Sequence, residues 1–306
     1  MDLLTNKEVM EKARAGGYAV GAFNVNNMEI VQGIVEAAKE AKSPVIIAAT
    51  PGAIKYAGLN YIVNLVKTAS ETSLVPMTLH LDHGTDFDIA WKCIGAGFTS
   101  VMIDGSLLKF EENIAVTKKV VDIAHPKGVS VEAELGRLAG VEEYTVDERE
   151  AILTDPNVAK EFVDRTGVDA LAVAIGTSHG AYKFKGEPQL DFERLKEIKE
   201  RVDVLLVLHG ASGVPEWTIE KARKYGAELP GAKGIPDESI RQAVSMGIAK
   251  INIDTDLRLA LMSAIREVLA TQPKEFDPRK ILGPGREAIK KVVKAKMELF
   301  GSAGKA

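Results

Sequence analysis

Cysteine is almost missing from this chain, with a single residue, Cys93, among 306. One thiol cannot form a disulfide within the chain, and its setting in the helical-looking FDIAWKCIGAG reads as a buried free thiol rather than a nucleophile. Long apolar runs are lacking as well: none approaches the roughly 20 residues of a membrane helix, and the opening MDLLTNKEVMEKARAGG has no hydrophobic signal region. A cytoplasmic protein is expected. No basic excess exists, since 39 Lys and Arg face 43 Asp and Glu for a net charge of -4, and the pI is near 5.9. The lysines are spread along helical segments, so a nucleic-acid partner is not expected. Low-complexity tracts, short-period repeats and an obvious linker are absent too. Histidine is scarce, at five residues, yet two of them fall within LHLDHGT at residues 79–85.

What the chain does have is the balance of a soluble globular protein, 46% hydrophobic and 27% charged. Short Val- and Ile-rich runs recur between helical stretches: YAVGAFNV, SPVIIAAT, VPMTLHLDH, TSVMIDGS, VSVEAELG, ALAVAIGT, VLLVLHG and IAKINIDTD. Near-continuous hydrophobic strands alternating with amphipathic helices such as MEIVQGIVEAAKEA predict parallel strands covered on both faces. These runs fit a (β/α)8 TIM barrel, read as a single domain over residues 1–306. An open doubly wound sheet is the alternative, but GAFNVNNMEI after the first strand is not the GxGxxG of a dinucleotide site. Three stretches exceed a minimal barrel: a loop at 137–150 long enough to serve as a lid, a Gly/Pro-rich loop at 226–238, and a C-terminal helical extension at 273–306. In the extension, QPKEFDPRKILGPG is read as a lead into the amphipathic helix REAIKKVVKAKMELF; the last two stretches would also suit surface decoration.

Polar groups at the C-terminal ends of barrel strands meet at one mouth. Strand three ends in Asp82 and His83, strand four in Asp104, strand five in Glu134; His179 lies just beyond strand six, and His209 ends strand seven. Imidazole and carboxylate together suit Zn²⁺ or a similar divalent ion. His83, His179 and His209 are the chosen ligands, whereas His80, earlier in its strand, and His125, at a helix end, read as structural. The glycine-rich GTSHG and HGASG, with NIDTD on the last strand, would form a nest for a phosphate, although ordinary tight turns would use the same glycines. The candidates are Gly180, Gly210, Ser212, Asn252, Asp254 and Thr255. Asn24, ending strand one, is placed to touch substrate or support the site.

AFNVNN, HLDHG, GFTSVMID, VEAELG, GTSHGAYK, LVLHGASG, KINIDTD and DPRKILGP, in this order from about residue 18 to the end, together resemble the class II, metal-dependent fructose-bisphosphate aldolases. The resemblance implies reversible cleavage of fructose 1,6-bisphosphate to dihydroxyacetone phosphate and glyceraldehyde 3-phosphate, a step of glycolysis and gluconeogenesis. It also implies Zn²⁺ on His83, His179 and His209, with Asp104 and Glu134 at a second or alternate metal position; Co²⁺ or another divalent metal is a candidate in its place, and a monovalent cation is a further candidate cofactor. Asp82 would be the acid/base at the C4 hydroxyl. Glu142, beside Glu143, would exchange the proton at carbon, and Arg279 of FDPRK would reach a neighbouring subunit's substrate phosphate in a homodimer or homotetramer.

Rival functions share parts of this pattern. A Schiff-base aldolase needs a lysine in the mouth, and Lys250 is read as lying near the bottom of strand eight. Tagatose-bisphosphate aldolases differ at the position of Asp254, where a smaller apolar residue is expected, which favours fructose. A metal-dependent sugar-phosphate isomerase or epimerase, or a non-catalytic phosphosugar-binding barrel, would use the metal or the nest without the full acid/base set.

Overall fold

The computed structural model describes residues 2–141, 145–147, 151–179, 189–229 and 234–306, with the side chains of 139–141, 145, 146 and 179 left outside the description. In chain order the described strands are β1 (Val20–Asn24), β2 (Val45–Ala49), β3 (Met77–Gly84), β4 (Ser100–Ile103), β5 (Ser130–Leu135), β6 (Ala139–Val141), β7 (Thr145–Val146), β8 (Ala170–Val173), β9 (Ser178–His179), β10 (Leu205–Leu208) and β11 (Ile248–Ile253). The helices are α1 (Asn6–Gly16), α2 (Met28–Ala41), α3 (Pro51–Ala57), α4 (Leu59–Thr72), α5 (Phe87–Ala96), α6 (Phe110–Ala124), α7 (Pro156–Thr166), α8 (Phe192–Arg201), α9 (Glu216–Lys224), α10 (Asp237–Ser245), α11 (Thr255–Thr271) and α12 (Pro278–Leu299). Eight strands close a barrel in the order β1-β11-β10-β8-β5-β4-β3-β2, and each neighbouring pair is parallel. All eight apolar runs therefore become barrel strands, and the open-sheet alternative is excluded.

Alternation along the strands separates two cores. Leu171 and Val173 of β8 and Leu206 and Leu208 of β10 join the large core shared with the surrounding helices. Their neighbours Ala170, Ala172, Leu205 and Val207 instead pack with Val9, Met10 and Ala13 of α1, which thus covers the N-terminal end of the barrel. A capping box starts that helix: Thr5 accepts the Glu8 N–H, and the Glu8 carboxylate accepts the Thr5 N–H. With the lower interior filled by aliphatic side chains, the upper interior is left for polar ones. Among the described residues no helix is long and apolar enough to cross a membrane.

Two expectations about the added stretches are corrected. Within 137–150, β6 pairs antiparallel with β7 and parallel with β9, so the stretch builds part of a three-stranded sheet beside the mouth instead of a plain loop. The terminal helix starts at Pro278 rather than at Arg286. Asp277 caps it by accepting the Arg279 N–H at 2.9 Å, proline suits the first helical turn, and Pro284 is accommodated inside the helix. Nor is α12 decoration: Ile289, Val292, Val293 and Met297 are buried in the main core, and a Cβ on Gly33 of α2 would stand 2.9 Å from the Arg286 carbonyl oxygen. Glycine is needed there for the two helices to approach.

Candidate active site

β3 delivers its polar residues by breaking its own alternation. His80 and Asp82 are buried on the interior side while Leu79 and Leu81 pack outward into the main core. His83 has φ 48°, in the left-handed region, and the β3–β4 register shifts between Leu81 and Gly84. This local irregularity lets two consecutive side chains, Asp82 and His83, serve one centre, and such strain collects at functional sites.

His83 and His209 meet there with ring centroids 4.6 Å apart and planes at 71°. His83 Nε2 lies 2.8 Å from His209 Nδ1, and His83 Nδ1 lies 3.0 Å from Asp104 Oδ2. Glu134 Oε2 is 3.9 Å from His83 Nδ1 and 3.6 Å from His209 Nδ1. Ligand atoms of Asp82, His83 and His209, and separately of His83, Asp104 and Glu134, lie within 4.8 Å of one another. The outer nitrogen of His209 is taken: Nε2 lies 2.9 Å from Glu132 Oε1. A carboxylate there accepts the ring N–H and turns the other nitrogen's lone pair into the centre, the arrangement a metal-ligating histidine requires. The donors are imidazole and carboxylate, so the residues fit a divalent cation such as zinc.

Asp82 stands at the edge of this cluster between two amides. Asn24 Nδ2 donates to its Oδ2 at 2.8 Å, and Asn252 Nδ2 donates to its Oδ1 at 2.7 Å. Burial pushes the Asp82 pKa up, but His83, Lys250, His209 and His80 outweigh it and hold the group below the ordinary carboxylate range. Asp82 is therefore an oriented carboxylate. Asp104 is also lowered against its burial, through its hydrogen bond to His83. Below the centre, Lys250 Nζ donates to Glu132 Oε1 and Oε2 at 2.9 and 2.8 Å and lies 3.3 Å from His80 Nε2. Burial, then Lys250, pushes His80 down to about 3, so this imidazole is neutral.

Several expected residues thus come together: Asp82, His83, Asp104, Glu134, His209, Asn24 and Asn252. Lys250, level with Val20 at the start of β1, stands low in its strand as expected, and its amine reaches inward to Glu132. Asp254 accepts from Arg258 Nε at 2.8 Å, Thr255 opens α11, Gly210 has φ 61°, and Ser212 is buried. His179 belongs to β9, where Gly140 is its partner, but its side chain, and all of Glu142 and Gly180, lie outside the described residues. Arg279 is 88% exposed and pairs with Asp277 at 2.7 Å in its own chain. His125, expected to be structural, lies 2.8 Å from Asp169 Oδ2 at the far end of the barrel. Glu132 was missed, although its spacing of two from Glu134 in VEAELG puts both carboxylates on one strand face.

Comparison with known sequences decides what kind of centre this is. The family model described as "Fructose-bisphosphate aldolase class-II" matches residues 4–228 and 229–305. The chain belongs to the class II fructose-bisphosphate aldolases. A fructose-bisphosphate aldolase of Thermus caldophilus is 56% identical over 305 residues, covering 99% of this chain and 100% of the relative. One from Helicobacter pylori is 50% identical, with 99% of each chain covered. Among solved structures, the YdjI aldolase from Escherichia coli K12 superposes with a TM-score of 0.81 at 38% identity, covering 100% of both chains. The enzyme is accordingly a carbon–carbon lyase of a metal-dependent family, and the histidine and carboxylate cluster at its mouth is a group that could hold a metal ion.

Proposed function

We propose that the Asp82, His83 and His209 centre carries out reversible cleavage of fructose 1,6-bisphosphate, with Asp82 as the proton acceptor. The observation that carries this reading is Asp82 itself, a buried carboxylate aimed by Asn24 and Asn252 and adjoining the imidazole pair. Held ionised, Asp82 takes the C4 hydroxyl proton as the C3–C4 bond breaks, and in condensation it returns that proton to the developing alkoxide. A divalent cation, Zn²⁺ or Co²⁺ being suited to imidazole and carboxylate ligands, would be held by His83, His209 and His179 with Asp104 and Glu134 at an alternate position, and would supply electrostatic stabilisation of the electron-rich oxygens.

The remaining roles are those that membership of the family supports. Asn252 Oδ1 is buried and has no hydrogen-bond partner among the described residues, so it offers an acceptor to a substrate hydroxyl. Gly210, Ser212, Asp254 and Thr255 are assigned to the phosphate seat together with Gly180, and Glu142 is assigned the proton at the carbon next to the ketone; for Gly180 and Glu142 the support is the family's pattern alone, since both lie outside the described residues. Asp254, kept at the mouth by Arg258, supports fructose over tagatose bisphosphate. Arg279, exposed as it is, reaches a second subunit's distal phosphate, which makes the working form a homodimer or homotetramer.

A steady-state assay of both ketose bisphosphates, with chelator and with added Zn²⁺ or Co²⁺, tests the whole reading. Triose phosphates from fructose 1,6-bisphosphate, lost with chelator and restored by metal, are expected. Isomerised bisphosphate without triose phosphates would mark an isomerase or epimerase instead, and binding without turnover would mark a phosphosugar-binding barrel.

A further inference from the structure

Behind the turn that follows β10 lies a buried ion pair that takes no part in the chemistry above. Lys296 of α12 places Nζ 3.0 Å from Asp256 Oδ2, and the two side chains are 7% and 0% exposed. Asp256 stands next to Thr255 at the start of α11. Its carboxylate also accepts the Val214 N–H at 2.8 Å and the Gly213 N–H at 3.2 Å. One carboxylate therefore ties together the turn after β10, the helix after β11 and the C-terminal helix.

The turn is held in a shape it would not adopt unaided. Val214 has φ 44°, a left-handed conformation that a β-branched residue takes only under constraint. Its side chain is pinned in a small core with Ile219 and Leu259. A Cβ at Gly213 would stand 2.7 Å from Lys296 Nζ, and one at Gly210 would stand 2.6 Å from the Ser178 carbonyl oxygen. The turn is thus packed directly on the lysine at one end and on Ser178 of β9 at the other.

We propose that Asp256 and Lys296 are positioning residues for a phosphate monoester, an inference that rests on reading Gly210 and Ser212 as the phosphate seat. With the Gly213 and Val214 amides drawn inward to Asp256, the 210–212 segment is given one fixed curvature toward the mouth. Both ions are buried and of opposite sign, so their long-range fields largely cancel and their contribution is geometric. An element that shapes only the phosphate seat acts equally on bound substrate and transition state, and so alters KM while leaving kcat nearly unchanged.

Lys296→Met tests this, with Val292→Ala as a packing control on the same helix and Ser212→Ala as a probe of the seat itself. The readouts are Kd for inorganic phosphate and the KM and kcat for fructose 1,6-bisphosphate. Lys296→Met should raise Kd and KM by roughly tenfold, since misplaced binding groups are penalised steeply, with kcat kept within about twofold. Val292→Ala should lower the melting temperature and leave Kd and KM alone. A folded Lys296→Met with unchanged Kd and KM, alongside a weakened Ser212→Ala, overturns the positioning role. If neither Ser212→Ala nor Lys296→Met alters phosphate binding, the phosphate seat is misassigned. Should Lys296→Met fail to fold, hydrogen exchange on the unmodified protein decides: phosphate should slow exchange at Gly213 and Val214, and unchanged exchange at both refutes the coupling.

Discussion

Glu132 holds His209 from one side and Lys250 from the other, its Oε1 lying 2.9 Å from His209 Nε2 and its two oxygens 2.9 and 2.8 Å from Lys250 Nζ. Burial works against the charged form of Glu132, yet Lys250, His209 and His80 keep its pKa below the usual range. The carboxylate is therefore present to receive the imidazole N–H. Replacing it with an amide of the same shape removes that charge from behind a metal ligand. Glu132→Gln should weaken divalent-metal affinity by roughly 10- to 100-fold, measured by competition with a chelating dye. Wild-type metal affinity in this variant would deny Glu132 its part in orienting His209.

The same pair predicts a non-additive stability. Lys250→Met leaves a buried carboxylate without its cation, and breaking a buried pair in this way costs about 3–5 kcal/mol. Glu132→Gln together with Lys250→Met removes both charges, so the double variant should be more stable than the sum of the two single losses, by a coupling of order 0.5–3 kcal/mol. Denaturant titrations of all four proteins measure it. Strict additivity would mean that the contact contributes nothing.

Lys250 also separates the two known ways of making a carbanion from a ketose. An imine at Lys250 would require it to leave Glu132 and reach the mouth from a fully buried position. Borohydride added with fructose 1,6-bisphosphate should leave no adduct on any lysine, and a chelator should abolish turnover while also lowering the melting temperature, because a ligand bound only by the native state stabilises it. A reduced adduct on Lys250 found by mass spectrometry would overturn the metal mechanism.

Cys93 is free and buried, and burial pushes its thiol up from 9.0 to about 12. At pH 8 only about 10⁻⁴ of it is thiolate, the reactive form. A thiol-specific disulfide reagent should modify the unfolded chain and spare the native one. Because the native pKa is raised, the native state keeps a proton that the unfolded state loses, so this stability is intact below pH 9 and declines as pH rises from 9 toward about 12. The slope approaches about 1.4 kcal/mol per pH unit. A Cys93→Ala variant should show a correspondingly shallower alkaline loss in denaturant titrations; identical slopes would remove Cys93 as the cause.

The barrel was legible because β-rich apolar runs and helical periodicity recur in register along the chain, and the eight strands arise where those runs stand. Asp82, His83 and His209 were legible because strand-end polar residues converge in such a barrel. Glu132 and the role of Lys250 were not: spacing puts Glu132 on the strand face of Glu134, but its partner Lys250 stands 118 residues away and no local pattern joins the two. The early start of α12 was obscured by Pro284 and two flanking glycines, which signal a break locally but are accommodated where α12 packs on α2 and α11. Gly285, for instance, lies so near Leu261 that a Cβ would come within 2.5 Å of its Cδ1.

Arg279 provides a test of assembly. Its guanidinium is 88% exposed and pairs locally, with Asp277 at 2.7 Å, at the start of a helix that Asp277 itself caps. Guanidinium is shaped to grip phosphate oxygens through two parallel donors, and an exposed arginine of this kind is available to another subunit. Arg279→Ala should weaken handling of fructose 1,6-bisphosphate while leaving dihydroxyacetone phosphate binding largely intact. Asp82→Ala should keep metal and substrate binding but lose roughly 10²-fold or more in cleavage, the usual scale of an acid/base contribution. If two subunits exchange arginines reciprocally, a hybrid of these variants has one site with both lesions and one with neither. Refolding the two impaired proteins together should then give activity above that of either alone, read as triose phosphate release. Verified hybrids no more active than their parents would show that Arg279 does not act on a neighbour's site.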